Sequence, residues 1–346
     1  MVKQTSMNFW EKLPKPFYIL APMADVTDAP FRRVIAKYSA HKRADGTDGG
    51  PDVTFTEFVS ADGLARATPE GKKKLMADLI YTDTERPIVA QLFTSNEEHM
   101  EAAARLCREL GFDGVDINMG CPDRSIEKQG CGSAMIKNPE VAKKIIRAAK
   151  RGAKMGEIDG IPVSVKTRLG YNRDQLEEWL PVILEEKPAT IILHGRTRKE
   201  MSKVPARWER IKRAVELRDE LQKGLEHKTL IVGNGDALSL EDARQKAELS
   251  DADGVMLGRA VFGNPWLFHP EKDASNVPIE EKLRVMVEHS ELFAGLLPFK
   301  NFSIMKKHYK AYVKDFPGAH ELRNKLMEQN TAGEVKEVVG DFLLTR

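Results

Sequence analysis

The chain has 346 residues, 41% of them hydrophobic and 31% charged, enough for one large domain with a smaller companion and too polar for a membrane bundle. A net charge of +2 excludes nucleic-acid binding by bulk charge and leaves only a local basic patch for that purpose. Three cysteines, at 107, 121 and 131, form no Cys-x-x-Cys pair, which argues against a disulfide framework or a structural zinc and for a reducing compartment.

Residues 1–15 lack an apolar core of signal-peptide length, and no run approaches the roughly 18 apolar residues of a membrane span. A cytoplasmic protein without membrane contact is expected. Further on, short apolar runs alternate with amphipathic stretches. The runs are 17–21, 53–58, 88–93, 115–118, 161–167, 190–194, 229–233 and 254–258, each read as a strand. Helix starts lie between them. Asp28-Ala-Pro30 sets a capping carboxylate ahead of a first-turn proline. Ser95-Asn-Glu-Glu98 has capping-box spacing, with Met100, Ala103, Ala104, Cys107 and Leu110 following on one face. Asn138-Pro139 and Ser239-Leu-Glu-Asp242 open two more. Eight strand–helix repeats predict an α/β fold, a (β/α)8 TIM barrel. A doubly wound open sheet is the alternative, but no Gly-x-Gly-x-x-Gly follows the first strand.

The Gly-, Asp- and Lys-containing segment 40–51 reads as a surface loop. The barrel is expected over residues 1–268 and a linker over 269–279, with a small C-terminal all-helical domain over 280–346. In that domain Leu283, Met286, Val287, Ser290, Phe293 and Ala294 share a face, a second helix falls near 302–314, and two short ones lie around Gly318 and Gly333.

Barrel chemistry gathers at the carboxyl ends of the strands. Pro22, Met23 and Ala24 follow the first strand and Gln91 lies on the third. The fourth leads from Asp116 through Asn118 to Cys121, so an amide and a thiol can face one ligand; the glycine-rich Gln129-Gly-Cys-Gly-Ser-Ala134 comes next. Lys166 and Arg168 lie on the fifth, and His194-Gly-Arg196-Thr-Arg198 ends the sixth. Gly233-Asn234-Gly235-Asp236 and Gly258-Arg259 end the last two, the usual barrel position for a phosphate held by backbone N–H groups, with Arg259 as a charged donor. Taken singly these are ordinary: an ion-paired Lys166, a core His194, a tight turn at Gly233–Gly235, a buried structural Cys121. Converging on one rim, they describe a site for a planar, phosphate-bearing cofactor. A lysine beside a flavin ring would stabilise negative charge on the reduced ring, while Gln91 and His194 would bond ring or ribityl oxygens. No metal is expected.

These stretches resemble the tRNA-dihydrouridine synthase family. The resemblance rests on Ala21-Pro-Met-Ala-Asp-Val-Thr-Asp-Ala-Pro-Phe31, Phe55-Thr-Glu-Phe58, Asp116-Ile-Asn-Met-Gly-Cys-Pro122, Lys166-Thr-Arg-Leu-Gly170, Leu193-His-Gly-Arg-Thr-Arg198, Gly233-Asn-Gly-Asp236 and Gly258-Arg259. Lys307-His308, Pro317-Gly-Ala319 and Leu322-Arg323 extend it through the helical region, over about residues 17–340. It implies FMN, NADPH as electron donor, and reduction of a uracil base in tRNA. Carried over by motif, Pro22, Met23 and Ala24 would line the flavin, and Gln91, Lys166 and His194 would contact it. Asn234, Gly235, Asp236, Gly258 and Arg259 would hold its phosphate end. Asn118 would bond the uracil, Arg168, Arg196 and Arg198 would lie near the substrate, and Cys121 would be the catalytic acid. Hydride addition at uracil C6 builds charge on C5 and O4, so a proton must reach C5 from a protonated thiol; the ordinary cysteine pKa of about 8.5 permits this near neutrality.

Residues 300–325 hold seven Lys or Arg against two acidic residues, interleaved with His308, Tyr309 and Tyr312, and Lys306, Lys307 and Lys310 are assigned to tRNA phosphates. A monomer is expected. Two departures from the family pattern stand out: the long 40–51 segment, and a loop after Arg198 whose first half is poor in glycine. A Cys121–Cys131 disulfide turns on Cα geometry. Two other readings share these residues: an FMN-dependent ene reductase or dehydrogenase acting on a small pyrimidine or enone, and an RNA-binding protein without catalysis.

Overall fold

A computed structural model describes residues 8–154 and 160–345; the first seven residues of the N-terminal stretch discussed above lie outside the described residues. Eight parallel strands close into a barrel: β1 (Phe17–Leu20), β4 (Val53–Ser60), β5 (Ile88–Phe93), β6 (Gly114–Asn118), β7 (Val163–Arg168), β8 (Thr190–His194), β9 (Leu230–Asn234) and β10 (Gly254–Leu257). β1 pairs with both β4 and β10 and closes the ring. Each strand lies within two residues of its predicted run, because short β-branched runs bounded by polar turns are legible without tertiary context. Phe17, Ile19, Val53, Phe55, Val89, Ile192, Val232 and Met256 fill one core cluster with Trp10.

Several sequence expectations change. The 40–51 segment is a β-hairpin, β2 (His41–Lys42) against β3 (Asp48–Gly49), whose turn uses Gly46 at positive φ and an Asp45 carboxylate accepting from Thr47 N–H. The helix expected to be capped at Ser95 starts one residue later: Asn96 accepts from His99 N–H at 3.0 Å, and the helix runs Glu97–Glu109. Ser95 instead donates to the Gln129 carbonyl at 2.8 Å, tethering the glycine-rich loop. Asp28 and Ser239 cap as expected, accepting from Phe31 and Asp242, and Cys107 is buried on its helix.

The chain divides into two compact units. The barrel unit takes residues up to 23, 52–79 and 86–258; the second takes 24–51, 80–85 and 259–346. The second unit contains the helices Ala29–Tyr38, Ile279–Leu296, Lys306–Tyr312, Ala319–Glu328 and Ala332–Leu344. Its centre is aromatic. Phe31 stacks on His289 at 4.8 Å, His308 meets both rings edge-on at 4.8 and 4.6 Å, and Phe262 stacks on His308 at 5.6 Å. A buried Arg32–Glu85 ion pair at 2.7 Å joins two of the three segments, and Arg32 also donates to the Thr27 and Ile80 carbonyls. Ala294 is exposed, and His289, unremarked in the sequence, takes a core position. His308, Tyr309 and Tyr312 are likewise buried, so they belong to this core and do not offer a stacking surface between the lysines. Lys310 is exposed, and Lys306 and Lys307 are partly so. Among the described residues no helix is long and apolar enough to cross a membrane.

Candidate active site

Strand register sets the polar residues of the rim on three levels, which form two hydrogen-bonded rows. Gln91 lies opposite Asp116 and Asp116 opposite Ser164; two residues further along, Asn118 lies opposite Lys166. Arg168, His194 and Asn234 align across β7, β8 and β9. Residues two apart on a strand share a face, so both rows point the same way.

The first row is a hydrogen-bond network. Ser164 Oγ donates to Asp116 Oδ1 at 2.6 Å, and Gln91 Nε2 to Asp116 Oδ2 at 2.7 Å. Asn118 Nδ2 donates to Gln91 Oε1 at 3.0 Å. Asn118 Oδ1 accepts the peptide N–H groups of Gly120 and Cys121 at 3.1 and 2.9 Å, shaping the turn that carries the thiol. The oxygen of Asn118 is thereby used within the protein, leaving an N–H for a ligand.

Residues from three further segments hold Cys121 from the other side. Arg168 Nε donates to the Gly120 carbonyl at 2.6 Å, and Ser133 donates to the Cys121 carbonyl through N and Oγ, both at 2.9 Å. Ser133 Oγ also lies 2.8 Å from Glu127, so its one proton is shared between the two acceptors, and Glu127 receives a two-pronged Arg198 contact, Nε at 2.8 Å plus a short bond from the second nitrogen. Tyr171 is flanked by the Lys137 ammonium at 4.4 Å and the Arg198 guanidinium at 5.3 Å. Arg168 and Arg198, assigned to the substrate by resemblance, thus spend these contacts on the Cys121 loop. Burial works against the Glu127 carboxylate, but bonds from Arg198, Ser133 and Tyr171 outweigh it and hold its pKa low. Cys107, Cys121 and Cys131 are all free thiols.

The second row borders the phosphate side. Lys166 Nζ donates to Asn234 Oδ1 at 3.2 Å, and Asn234 Nδ2 to the Met256 carbonyl at 2.9 Å. Gly235 has φ +124°, and a Cβ there would lie 2.7 Å from that of Ala206, so only glycine fits. Trp208 Nε1 donates to its carbonyl. Asp236 accepts Arg196 at 2.5 Å and the Ala206 N–H at 2.8 Å, while Arg196 also contacts His194 Nε2 at 3.3 Å and the Val204 carbonyl. Asp236 and Arg196 therefore brace this loop. A Cβ on Gly258 would lie 3.6 Å from both Ala21 Cβ and Met23 Sδ, bringing the ends of β1 and β10 together. Pro22 precedes Met23 on that turn; Ala24 and Arg259 follow Met23 and Gly258 in sequence and belong to the second unit.

Burial governs the charges. It brings the Lys166 pKa down to about 8, helped by Arg168 and opposed by Asp116 and Cys121. It pushes Asp116 up to about 7 against the bonds from Ser164 and Gln91 and the charge of Lys166. It also raises the Cys121 thiol above its usual value, against a backbone bond and the nearby Arg168 and Lys166. Arg168 falls to about 10, chiefly by burial, and stays charged at neutral pH. The site therefore holds a protonated thiol near an ammonium that loses its proton only a little above neutrality. The Lys166 ammonium, the Gly235 turn and the amide donors suit a planar anionic cofactor such as FMN. The sequence reading missed Asp116, Glu127, Ser133 and Ser164. The available signal was Asp116 itself, a carboxylate between Val115 and Ile117 in a buried strand.

Fold and rim together define a TIM-barrel enzyme that keeps a protonated thiol at the carboxyl ends of its strands. Comparison with known proteins narrows this. A family model described as dihydrouridine synthase (Dus) matches residues 19–345. A probable tRNA-dihydrouridine synthase 2 of Bacillus subtilis is 39% identical over 97% of this chain and 96% of its own length. A probable tRNA-dihydrouridine synthase of Staphylococcus aureus is 38% identical over 97% of this chain and 95% of its own. The chain belongs to the dihydrouridine synthase family and is an oxidoreductase. Among solved structures, a 2-naphthoyl-CoA reductase complex superposes with a TM-score of 0.50 at 12% identity, covering 72% of this chain and 49% of that one, a likeness of fold alone.

Proposed function

We propose that the protein reduces uridine in tRNA to 5,6-dihydrouridine, using FMN re-reduced by NADPH. The observation that carries this is the Cys121 thiol, raised in pKa and partly exposed on a turn held by Asn118, Arg168 and Ser133. Bound FMN supplies the hydride for uracil C6. The chain's residues do the rest. Cys121 delivers the proton to C5, and its burial keeps the thiol in the acid form this step needs. Lys166 and His194 contact the flavin, and Lys166 offers it positive charge near neutral pH. Gln91 and Asn118 offer N–H donors to the flavin and the uracil. Pro22 and Met23 line the ring, and Asn234, Gly235 and Gly258 cradle the phosphate end, with Asp236 and Arg196 bracing that loop. Arg168 and Arg198 act through the Cys121 loop. Lys306, Lys307 and Lys310 supply phosphate contacts, and the uridine leaves its stack at a cost of a few kcal/mol, least in a tRNA loop.

The test is mass mapping of dihydrouridine in tRNA treated with the purified, FMN-loaded protein and NADPH. Wild type introduces it at defined positions. Cys121→Ala retains yellow flavin and NADPH oxidation but introduces none. Full tRNA reduction by that variant removes Cys121 from the role, and absence of dihydrouridine with wild type removes the reading.

A further inference from the structure

Asp116 is fully buried inside the barrel, and nothing in the proposed chemistry uses it. Its hydrogen-bond surroundings run in one direction. The peptide N–H groups of Gly120 and Cys121 both point at Asn118 Oδ1. A peptide N–H only donates, so the orientation of the Asn118 amide is fixed from the backbone. Asn118 Nδ2 then donates to Gln91 Oε1, which turns Gln91 Nε2 toward Asp116 Oδ2 at 2.7 Å. Only an acceptor completes this chain, and an ionised carboxylate accepts on both oxygens. Ser164 Oγ sits on the other oxygen at 2.6 Å. A proton taken up by Asp116 goes to the Ser164 side, where a hydroxyl turns readily from donor to acceptor, and the bond from Gln91 stays as it is.

We infer that Asp116 is a positioning residue, the end acceptor of a one-way chain that leaves Gln91 and Asn118 each with an N–H donor for a bound ligand. Both amides are ambivalent groups by nature, and here each carbonyl already faces a donor within the protein. The rim therefore favours acceptor atoms at those two points, carbonyl oxygens or unprotonated ring nitrogens of a planar heterocycle, and most strongly at Asn118, whose oxygen already accepts two bonds. A hydrogen-bonding site discriminates strongly against a mismatched ligand because a buried polar group is left unpaired. The flavin ring and uracil both present such acceptors; in naming them the inference rests on the function proposed above.

Two arms test it. In the first, FMN dissociation constants are measured by flavin fluorescence for wild type, D116N and D116L, with melting temperatures as the folding control. D116N keeps an acceptor toward Gln91 and binds FMN within about threefold of wild type. D116L has similar bulk but no acceptor and binds about tenfold more weakly, the equivalent of one hydrogen bond. Wild-type affinity in D116L overturns the inference, and equal loss in both variants overturns it in favour of a charge effect. The second arm needs no flavin and does not depend on D116L folding. N118D keeps both backbone bonds but cannot donate to Gln91, which must reverse and present its carbonyl to position 116. D116N can meet that carbonyl with an N–H, so N118D/D116N melts higher than N118D alone. A double variant that melts at or below N118D overturns the inference. Failure of wild type to bind FMN would remove the flavin reading and leave the second arm to decide the role of Asp116.

Discussion

Acidification should loosen the second unit, through two histidines that have nowhere to put a proton. His289 and His308 are fully buried, and none of their four ring nitrogens has a hydrogen-bond partner. Phe31, Phe262 and Tyr312 enclose them. Burial first, and then the Lys307 charge, hold His308 down at about 3; burial and His308 hold His289 well below the usual 6.5. The unfolded chain takes up these protons near 6.5, while the folded unit refuses them until far lower, to about 3 for His308. Stability is therefore full above about 6.5 and falls as pH drops through that window, by about 1.4 kcal/mol per pH unit per residue. At about pH 5 the loss from His308 alone is roughly 2 kcal/mol, with His289 adding in the same direction, against a typical domain total of about 5–15 kcal/mol. The other titratable neighbours, Lys307, Tyr38, Glu288 and Tyr312, are shared by wild type and variant. His308→Phe keeps a ring among Phe31, Phe262 and His289 but removes the titration. Because the imidazole nitrogens are unpartnered, this variant should be neutral or slightly stabilising near pH 7.5. Hydrogen exchange of amides in 279–296 and 306–312, followed in urea near pH 7.5 and pH 5, reports this unit alone. Wild type should lose roughly 2 kcal/mol more than His308→Phe across that interval. Identical pH dependence in the two proteins, or a variant much weaker near pH 7.5, would refute the reasoning.

Other expectations follow from the rim and the basic helices. Glu127→Gln breaks the ion pair with Arg198 and loosens the Ser133–Cys121 contact. Alkylation of Cys121 by iodoacetamide should speed up severalfold and the rate of tRNA reduction should fall, whereas an unchanged alkylation rate would make the pair incidental. Lys166 loses its proton near pH 8 in the folded protein, so FMN affinity should fall between about pH 7 and pH 9, and Lys166→Met should be weaker throughout and flat across that range; equal slopes in the two proteins would exclude Lys166 as the charged contact. Replacing Lys306, Lys307 and Lys310 together with Glu should weaken tRNA binding and flatten its dependence on salt, and a filter-binding series giving an unchanged log–log slope would place the phosphate contacts elsewhere.

The barrel was legible in the sequence because a strand's period and a helix's cap are local properties. The shift of one cap from Ser95 to Asn96 has a tertiary cause, since the Ser95 hydroxyl is occupied by the Gln129 carbonyl 34 residues further on. The rim residues were legible as types at strand ends, but their partners were not. Glu127 and Arg198 stand 71 positions apart, and no spacing rule pairs them. Without that pairing, the sequence shows an arginine at the rim but not what holds it there. The helical region failed in the other direction. Lysines at 306, 307 and 310 with aromatic residues between them look like a nucleic-acid surface, yet the rings at 308, 309 and 312 pack inward, because on a helix alternation in sequence does not mean a shared face.

The patchwork origin of the second unit bears on how this protein can be cut and recombined. Its aromatic centre needs Phe31, its buried charge pair needs Arg32 and Glu85, and Tyr38 and Lys37 both grip Glu288. A gene fragment starting at residue 259 would encode the long helix without its stacking ring or its tyrosine partner, and would leave polar groups such as Ser290 and His289 in a half-built interior. Exchange of this unit between relatives has to move three stretches of gene together. Evolution faces the same constraint: the C-terminal helices cannot be shuffled as a cassette, and changes in them must be matched by changes in two insertions lodged within the barrel's own reading frame.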